Sequence, residues 1–125
     1  MRKLLCAFAV AIVTVAPHIA QAQSPTAFDG TYQGVSNTAS GSGPNCSVFA
    51  PVPRPLTIQN GVAKFDAGLK GATAFQGNVT PQGAFAMKDN LVNTITGRIE
   101  SSGKATASIH MGESNCVLTA VWQKS

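Results

Sequence analysis

Few side chains in this sequence are equipped for chemistry. Beyond residue 22 there is one histidine, His110, three residues before Glu113. A histidine beside a carboxylate is the smallest general-base arrangement. A hydrolase also needs an activated nucleophile, and no serine here stands in the strained G-x-S-x-G elbow. Asp29, Asp66, Asp89, Glu100 and Glu113 are the remaining carboxylates. Glycoside hydrolysis needs two of them facing one bond, but these are dispersed and fall mostly at expected strand ends and turns. A metal site needs three or four ligands of suitable type. One histidine, two cysteines expected to be oxidised and scattered acids do not supply it. The expectation is therefore no catalytic set, no metal and no cofactor.

The N-terminus explains why the cysteines are expected to be oxidised. Arg2 and Lys3 precede an apolar run over 4–16, Pro17 breaks it, and Ala20-Gln21-Ala22 places small residues where a signal peptidase reads. This is the layout of a secretory signal peptide, with cleavage after Ala22. The run is shorter than the roughly 20 apolar residues a membrane-spanning helix needs, so no membrane span is expected after cleavage. Residues 23–125 then form a single exported domain, periplasmic or secreted. That part keeps seven basic and five acidic residues, a net charge of +2, with the basic residues scattered singly. Nucleic-acid binders cluster them, so a nucleic-acid partner is not expected. Two cysteines remain, Cys46 and Cys116, with no C-x-x-C unit and no adjacent histidine. In an exported chain they read as one disulfide, rather than as metal-binding or redox thiols. A loop of about 70 residues closed in this way is worth ~4 kcal/mol on the chain-entropy model.

The elements are read from alternation and turn signals. Helical periodicity is absent; short alternating runs lie over 31–36, 46–50, 56–59, 62–66, 73–79, 84–88, 92–100, 104–110 and 116–123. Such spacing marks a barrel or a sandwich. Asn60-Gly61 suits a two-residue hairpin turn; Thr80-Pro81-Gln82-Gly83 and Ser101-Ser102-Gly103 mark two more turns. Residues 37–45 read as a flexible polar loop, and Pro51, Pro53 and Pro55 as an extended edge or connection. A weak repeat of period 20 aligns Phe75, Gly77, Val79 and Gly83 with Ile95, Gly97, Ile99 and Gly103. It implies two similar hairpins, with a glycine on the inward face that leaves room for a bulky neighbour or for tight coiling.

Alternation nominates as core Tyr32, Gly34, Leu56, Ile58, Phe75, Val79, Phe85, Met87, Ile95, Ile99, Ala105, Ala107, Ile109, Leu118, Ala120 and Trp122. The last run is apolar on both faces, through Val117 and Val121, so it is central or covered. With the disulfide joining its start to the segment at 46, the chain's end lies beside its beginning. The expected fold is all-β, a small antiparallel barrel of about eight strands, with a β-sandwich as the alternative.

Recognition falls to loops on this scaffold. Val52, Pro53, Arg54 and Pro55 form an extended, pre-ordered segment with one projecting guanidinium. Tyr32, in Asp29-Gly30-Thr31-Tyr32, could face a ligand from a lip of the barrel. Trp122 could stack on a ligand in its mouth or, the plainer reading, plug the core.

Phe28-Asp29-Gly30-Thr31-Tyr32-x-Gly34, Ile58-x-Asn60-Gly61, the repeated G-x-[VI]-x-x-x-G and the closing Cys116-x5-Trp122 resemble a group of small exported β-rich proteobacterial proteins. That group has no established activity, so the resemblance transfers no functional residue. In size, single disulfide and expected barrel the chain is also similar to periplasmic inhibitors of metalloproteases and of lysozyme. The functional expectation is an exported non-enzymatic binding module whose partner is a protein, a glycan or a small ligand. The alternatives are an inhibitor of a secreted or periplasmic hydrolase, a structural envelope protein, and an enzyme built on His110.

Overall fold

The computed structural model describes residues 11–14, 26–41, 46, 53–68, 71–112 and 115–125. Eight strands lie among them: β1 (Gly30–Ser40), β2 (Leu56–Gln59), β3 (Val62–Phe65), β4 (Phe75–Asn78), β5 (Ala84–Lys88), β6 (Thr94–Ile99), β7 (Lys104–His110) and β8 (Val117–Lys124). Each pairs antiparallel with its neighbour in chain order, and β8 returns to pair with β1, so the sheet closes into a barrel. Closure decides against the sandwich. It also places the terminal strand between two partners, with Val117 and Val121 half-buried on its outer side. Among the described residues no helix is long and apolar enough to cross a membrane.

Alternation puts one face of every strand inside, as the pleat requires. In β7 Ala105, Ala107 and Ile109 are buried; in β8 Leu118, Ala120 and Trp122 are. The nominated core holds, except that Gly34 and Val79 are only partly buried. Ala63, Phe65 and Met111 join it. Trp122, Tyr32, Phe75, Leu56, Met87 and Ile95 are almost wholly inaccessible. Phe65 bridges two of them, edge-on to Trp122 at 5.3 Å and tilted to Phe75 at 6.4 Å. Eight strands enclose a space just wide enough for side chains, and here large side chains fill it. The predicted inward glycine also has its reason. A Cβ on Gly97 would stand 2.5 Å from the Phe85 ring and 2.6 Å from the Ala107 Cβ.

Two sequence expectations need correction around β1. Its predicted end at Ser36 is too early, and half of the predicted polar loop is strand. Between Gly34 and Ser36 the register shifts by a bulge, which turns Val35 outward, 58% exposed; Asn37, Thr38, Ala39 and Ser40 then pair with Ala120, Thr119, Leu118 and Val117. A bulge adds one residue to one strand and lets the ladder resume, and β8 supplies the backbone partners that the polar composition concealed. Of the predicted strand over 46–50, Cys46 stands in a turn and the rest lies outside the described residues. The remaining strands shift at their ends only. Val92, for instance, belongs to the loop preceding β6.

The cross-link is present: Cys46 and Cys116 form a disulfide with Cα atoms 5.3 Å apart.

The two ends of the barrel differ. At one, the β2–β3, β4–β5 and β6–β7 connections are tight turns. The carbonyls of Gly61, Gly83 and Gly103 accept hydrogen bonds from the Val79, Ile99 and Lys124 amides, at 2.9, 2.8 and 2.9 Å. The period-20 repeat is one turn used twice: the Gly83 and Gly103 amides donate to the Thr80 and Glu100 carbonyls, both at 2.9 Å, and the residues just before, Val79 and Ile99, donate to the carbonyls of Gly61 and Gly83. Phe28 packs at Gly83, the Asp29 carboxylate accepts from the Asn60 and Gly61 amides, and the Tyr32 hydroxyl donates to the Phe28 carbonyl at 2.7 Å. The motif that opens the domain is thus a closure for this turn end.

Candidate functional site

The opposite end collects the longer connections: β1–β2, β3–β4, β5–β6 and β7–β8. The β5–β6 loop at this end is described throughout, and its hydrogen bonds follow from its residue types. One oxygen of Asp89 accepts from the Leu91 amide at 2.9 Å and from the Asn93 amide at 3.2 Å; the other accepts from the Asn93 side-chain amide at 2.7 Å. An aspartate that bonds backbone two residues on makes its own turn. Asn93 is thereby buried with its polar group satisfied. Asn90 faces the other way. Its side-chain carbonyl accepts from the Thr73 backbone amide at 2.6 Å, and its backbone amide donates to the Thr73 hydroxyl at 3.0 Å. This reciprocal pair ties the β5–β6 loop to the β3–β4 connection.

Between those fixed points stand Leu91 and Val92, 54% and 74% exposed. Among the described residues from 26 onward, Val35 is the other large apolar side chain left in solvent; Ile12 and Val13, nearer the N-terminus, are exposed as well. Isolated exposed apolar residues are ordinary. Two consecutive ones at the tip of a hydrogen-bonded loop, over a core that has room for neither, form a small apolar knob. The β7–β8 loop lies beside it: a Cβ on Gly112 would be 3.0 Å from a Val92 methyl group.

The proline segment belongs to the same end. Pro53, Arg54 and Pro55 are exposed, while Val52 lies outside the described residues. The segment is pinned from below, since the Trp122 indole N–H donates to the Arg54 carbonyl at 2.8 Å. Pro53 sits on Gly34, where a Cβ would approach it to 2.6 Å. The Arg54 guanidinium lies over Gly68, with a nitrogen 2.6 Å from the place a Cβ there would occupy. It folds back on the barrel rather than projecting.

Tyr32 and Trp122 are both interior. Trp122 spends its polar edge on Arg54. Tyr32 lies under the Lys124 ammonium, which is 5.8 Å from its ring centre. Burial, and secondarily the charge of Asp29, raise the Tyr32 hydroxyl above the ordinary tyrosine pKa. His110 is exposed at the end of β7, its backbone paired with Thr94 and Val117. Glu113, its proposed partner, lies outside the described residues. Among the described residues no group of three or more histidines, cysteines or acids is placed to hold a metal ion.

The structure thus brings Trp122 against the Arg54 carbonyl, whereas Tyr32, paired with Leu56 of β2, sends its hydroxyl to the Phe28 carbonyl and not to the proline segment. The sequence reading does not single out Leu91 and Val92, because it takes Val92, a β-branched residue, as the first residue of the β6 run rather than as part of the loop before it. The available signal was Asp89-Asn90-x-x-Asn93, a cluster of turn-forming side chains around two apolar residues. No family model, curated protein or solved structure matches the chain.

Proposed function

We propose that the protein is an exported, non-enzymatic binding module whose partner engages the loop end of the barrel. One observation carries the reading: Leu91 and Val92 are held in solvent by a loop whose backbone is fixed at Asp89, Asn90 and Asn93. Exposing two large aliphatic side chains gives up the roughly 1.5–3 kcal/mol that burying each would contribute. Fixing their loop in advance lowers the ordering cost of association. The filled interior directs attention to this rim and away from a small ligand inside the barrel. The pinned proline segment supplies a second ordered edge.

The test is a comparison of the mature chain with a Leu91→Ser/Val92→Ser variant, in capture from a periplasmic extract and in thermal shifts against a panel of glycans and apolar ligands. The wild-type chain retains a defined partner and the variant loses it. Absence of any partner or shift, or equal retention by both, removes the proposal.

A second reading is inhibition of a secreted or periplasmic hydrolase by the segment at 53–55. What favours it is the Trp122–Arg54 hydrogen bond, which anchors the backbone of an exposed, proline-stiffened segment. Proteases and lysozymes assayed with excess protein would lose activity. Full residual activity throughout eliminates the reading.

A further inference from the structure

Asn60-Gly61 is chemically the least durable dipeptide of the turn end. In an asparagine–glycine pair the glycine nitrogen can attack the asparagine side-chain carbon. A bond forms between the Gly61 nitrogen and the Asn60 Cγ, the Cγ–Nδ2 bond breaks, and ammonia leaves with the hydrogen that the Gly61 amide gives up. Water then opens the cyclic imide at either carbonyl to give aspartate or isoaspartate. The absence of a side chain on glycine makes the approach easy, and the turn needs that same absence. Asn60 and Gly61 have φ of 52° and 74°, the pair of positive values a two-residue hairpin turn demands.

We infer that Asn60-Gly61 is a latent deamidation site kept silent by the Asp29 carboxylate. Ring closure requires the Gly61 nitrogen to lose its proton and to turn towards the Asn60 side chain. Asp29 opposes both. Its two oxygens accept from the Asn60 amide at 2.7 Å and from the Gly61 amide at 3.0 Å. Removing the proton from Gly61 would place a nitrogen anion against a carboxylate, and like charges at contact disfavour ionisation. Turning the peptide plane breaks a charge-assisted hydrogen bond. The Gly61 carbonyl is meanwhile held by the Val79 amide at 2.9 Å. Gly61 is buried although Asn60 beside it is exposed. Attack therefore waits for the turn to open locally, and its rate falls with the open fraction. Isoaspartate lengthens the backbone by one carbon, which this turn cannot accommodate while its bonds to Asp29 and Val79 persist. Conversion would unlatch the turn end.

The mature protein is incubated at mildly alkaline pH, folded and in urea with the disulfide intact, beside folded Asp29→Ala and Asp29→Asn. Peptide mass and isoaspartate labelling follow residue 60. Folded wild type converts more slowly than urea-unfolded protein and than Asp29→Ala, by roughly tenfold or more, the scale of one hydrogen bond to a charged group. Asp29→Asn, which keeps an acceptor and loses the charge, falls between. Equal rates in folded and unfolded wild type, or an Asp29→Ala rate no higher than wild type, overturn the inference. Should Asp29→Ala not fold, amide exchange in the wild type decides. The Asn60 and Gly61 amides exchange more slowly than the exposed turn amides of Gln82 and Ser102; exchange as fast as theirs also overturns it.

Discussion

Tyr32 shows how a residue that looks available for recognition in sequence is committed elsewhere. Its ring is buried, its hydroxyl donates to Phe28, and Lys124 lies over its face. Burial first, then Asp29, favour the neutral phenol. A folded-state value above the unfolded one, near 10, means that the contribution is fully present below that pH and is lost as pH rises through and beyond it. Tyr32→Phe removes one hydrogen bond, a cost of about 1 kcal/mol at neutral pH. Urea midpoints measured between about pH 9 and pH 11 should fall for the wild type and fall less for the variant. Parallel decline in both would assign the alkaline loss to other groups. Trp122 is committed in the same way, with its ring on Phe65 and its N–H on Arg54.

At the scale of elements, the hairpins were legible because their signals are local. Asn60-Gly61 and the turns at 80–83 and 101–103 stand where the sequence puts them, and the period-20 repeat is two copies of one hydrogen-bonded turn. Gly97 belongs to that repeat because of what lies above it. Gly97→Ala drives a methyl group into the Phe85 ring and the Ala107 side chain, with the Thr106 carbonyl at 2.5 Å from the new Cβ. Overpacking of this kind costs typically 1–3 kcal/mol, so thermal unfolding should show a clear loss. An unchanged melting temperature would mean that β5 and β7 can spread at this point. The Leu91→Ser/Val92→Ser variant should do the reverse, with stability within about ±0.5 kcal/mol of wild type as for other exposed positions, since neither side chain is buried. What was not legible was the second half of β1. Asn37, Thr38 and Ser40 have loop-like chemistry, and only the backbone of β8, about 80 residues away in sequence, makes them strand.

Over the whole molecule, closure joins the ends of the domain. The β1–β8 ladder is the longest in the barrel, and the disulfide is formed next to it, from Cys116 just before β8 to Cys46 beyond β1. Seventy residues separate the two cysteines, so replacing both by serine should lower stability by ~4 kcal/mol on the chain-entropy model, against a usual total of roughly 5–15 kcal/mol. Urea unfolding of the Cys46→Ser/Cys116→Ser variant measures it; a loss well under half that size would show that the β1–β8 ladder already restrains the chain without the bond. Alternation, turn chemistry and the two cysteines beyond residue 22 were enough by themselves to point to an all-β domain, its inward faces and its cross-link, because each depends on neighbours in sequence or on one pair of residues. The bulge in β1, the choice of barrel over sandwich, the side chains that fill the interior, and the outward placing of Leu91 and Val92 were decided only in three dimensions. Each depends on which distant strand or loop supplies the missing backbone partners and on how much room the packed core leaves.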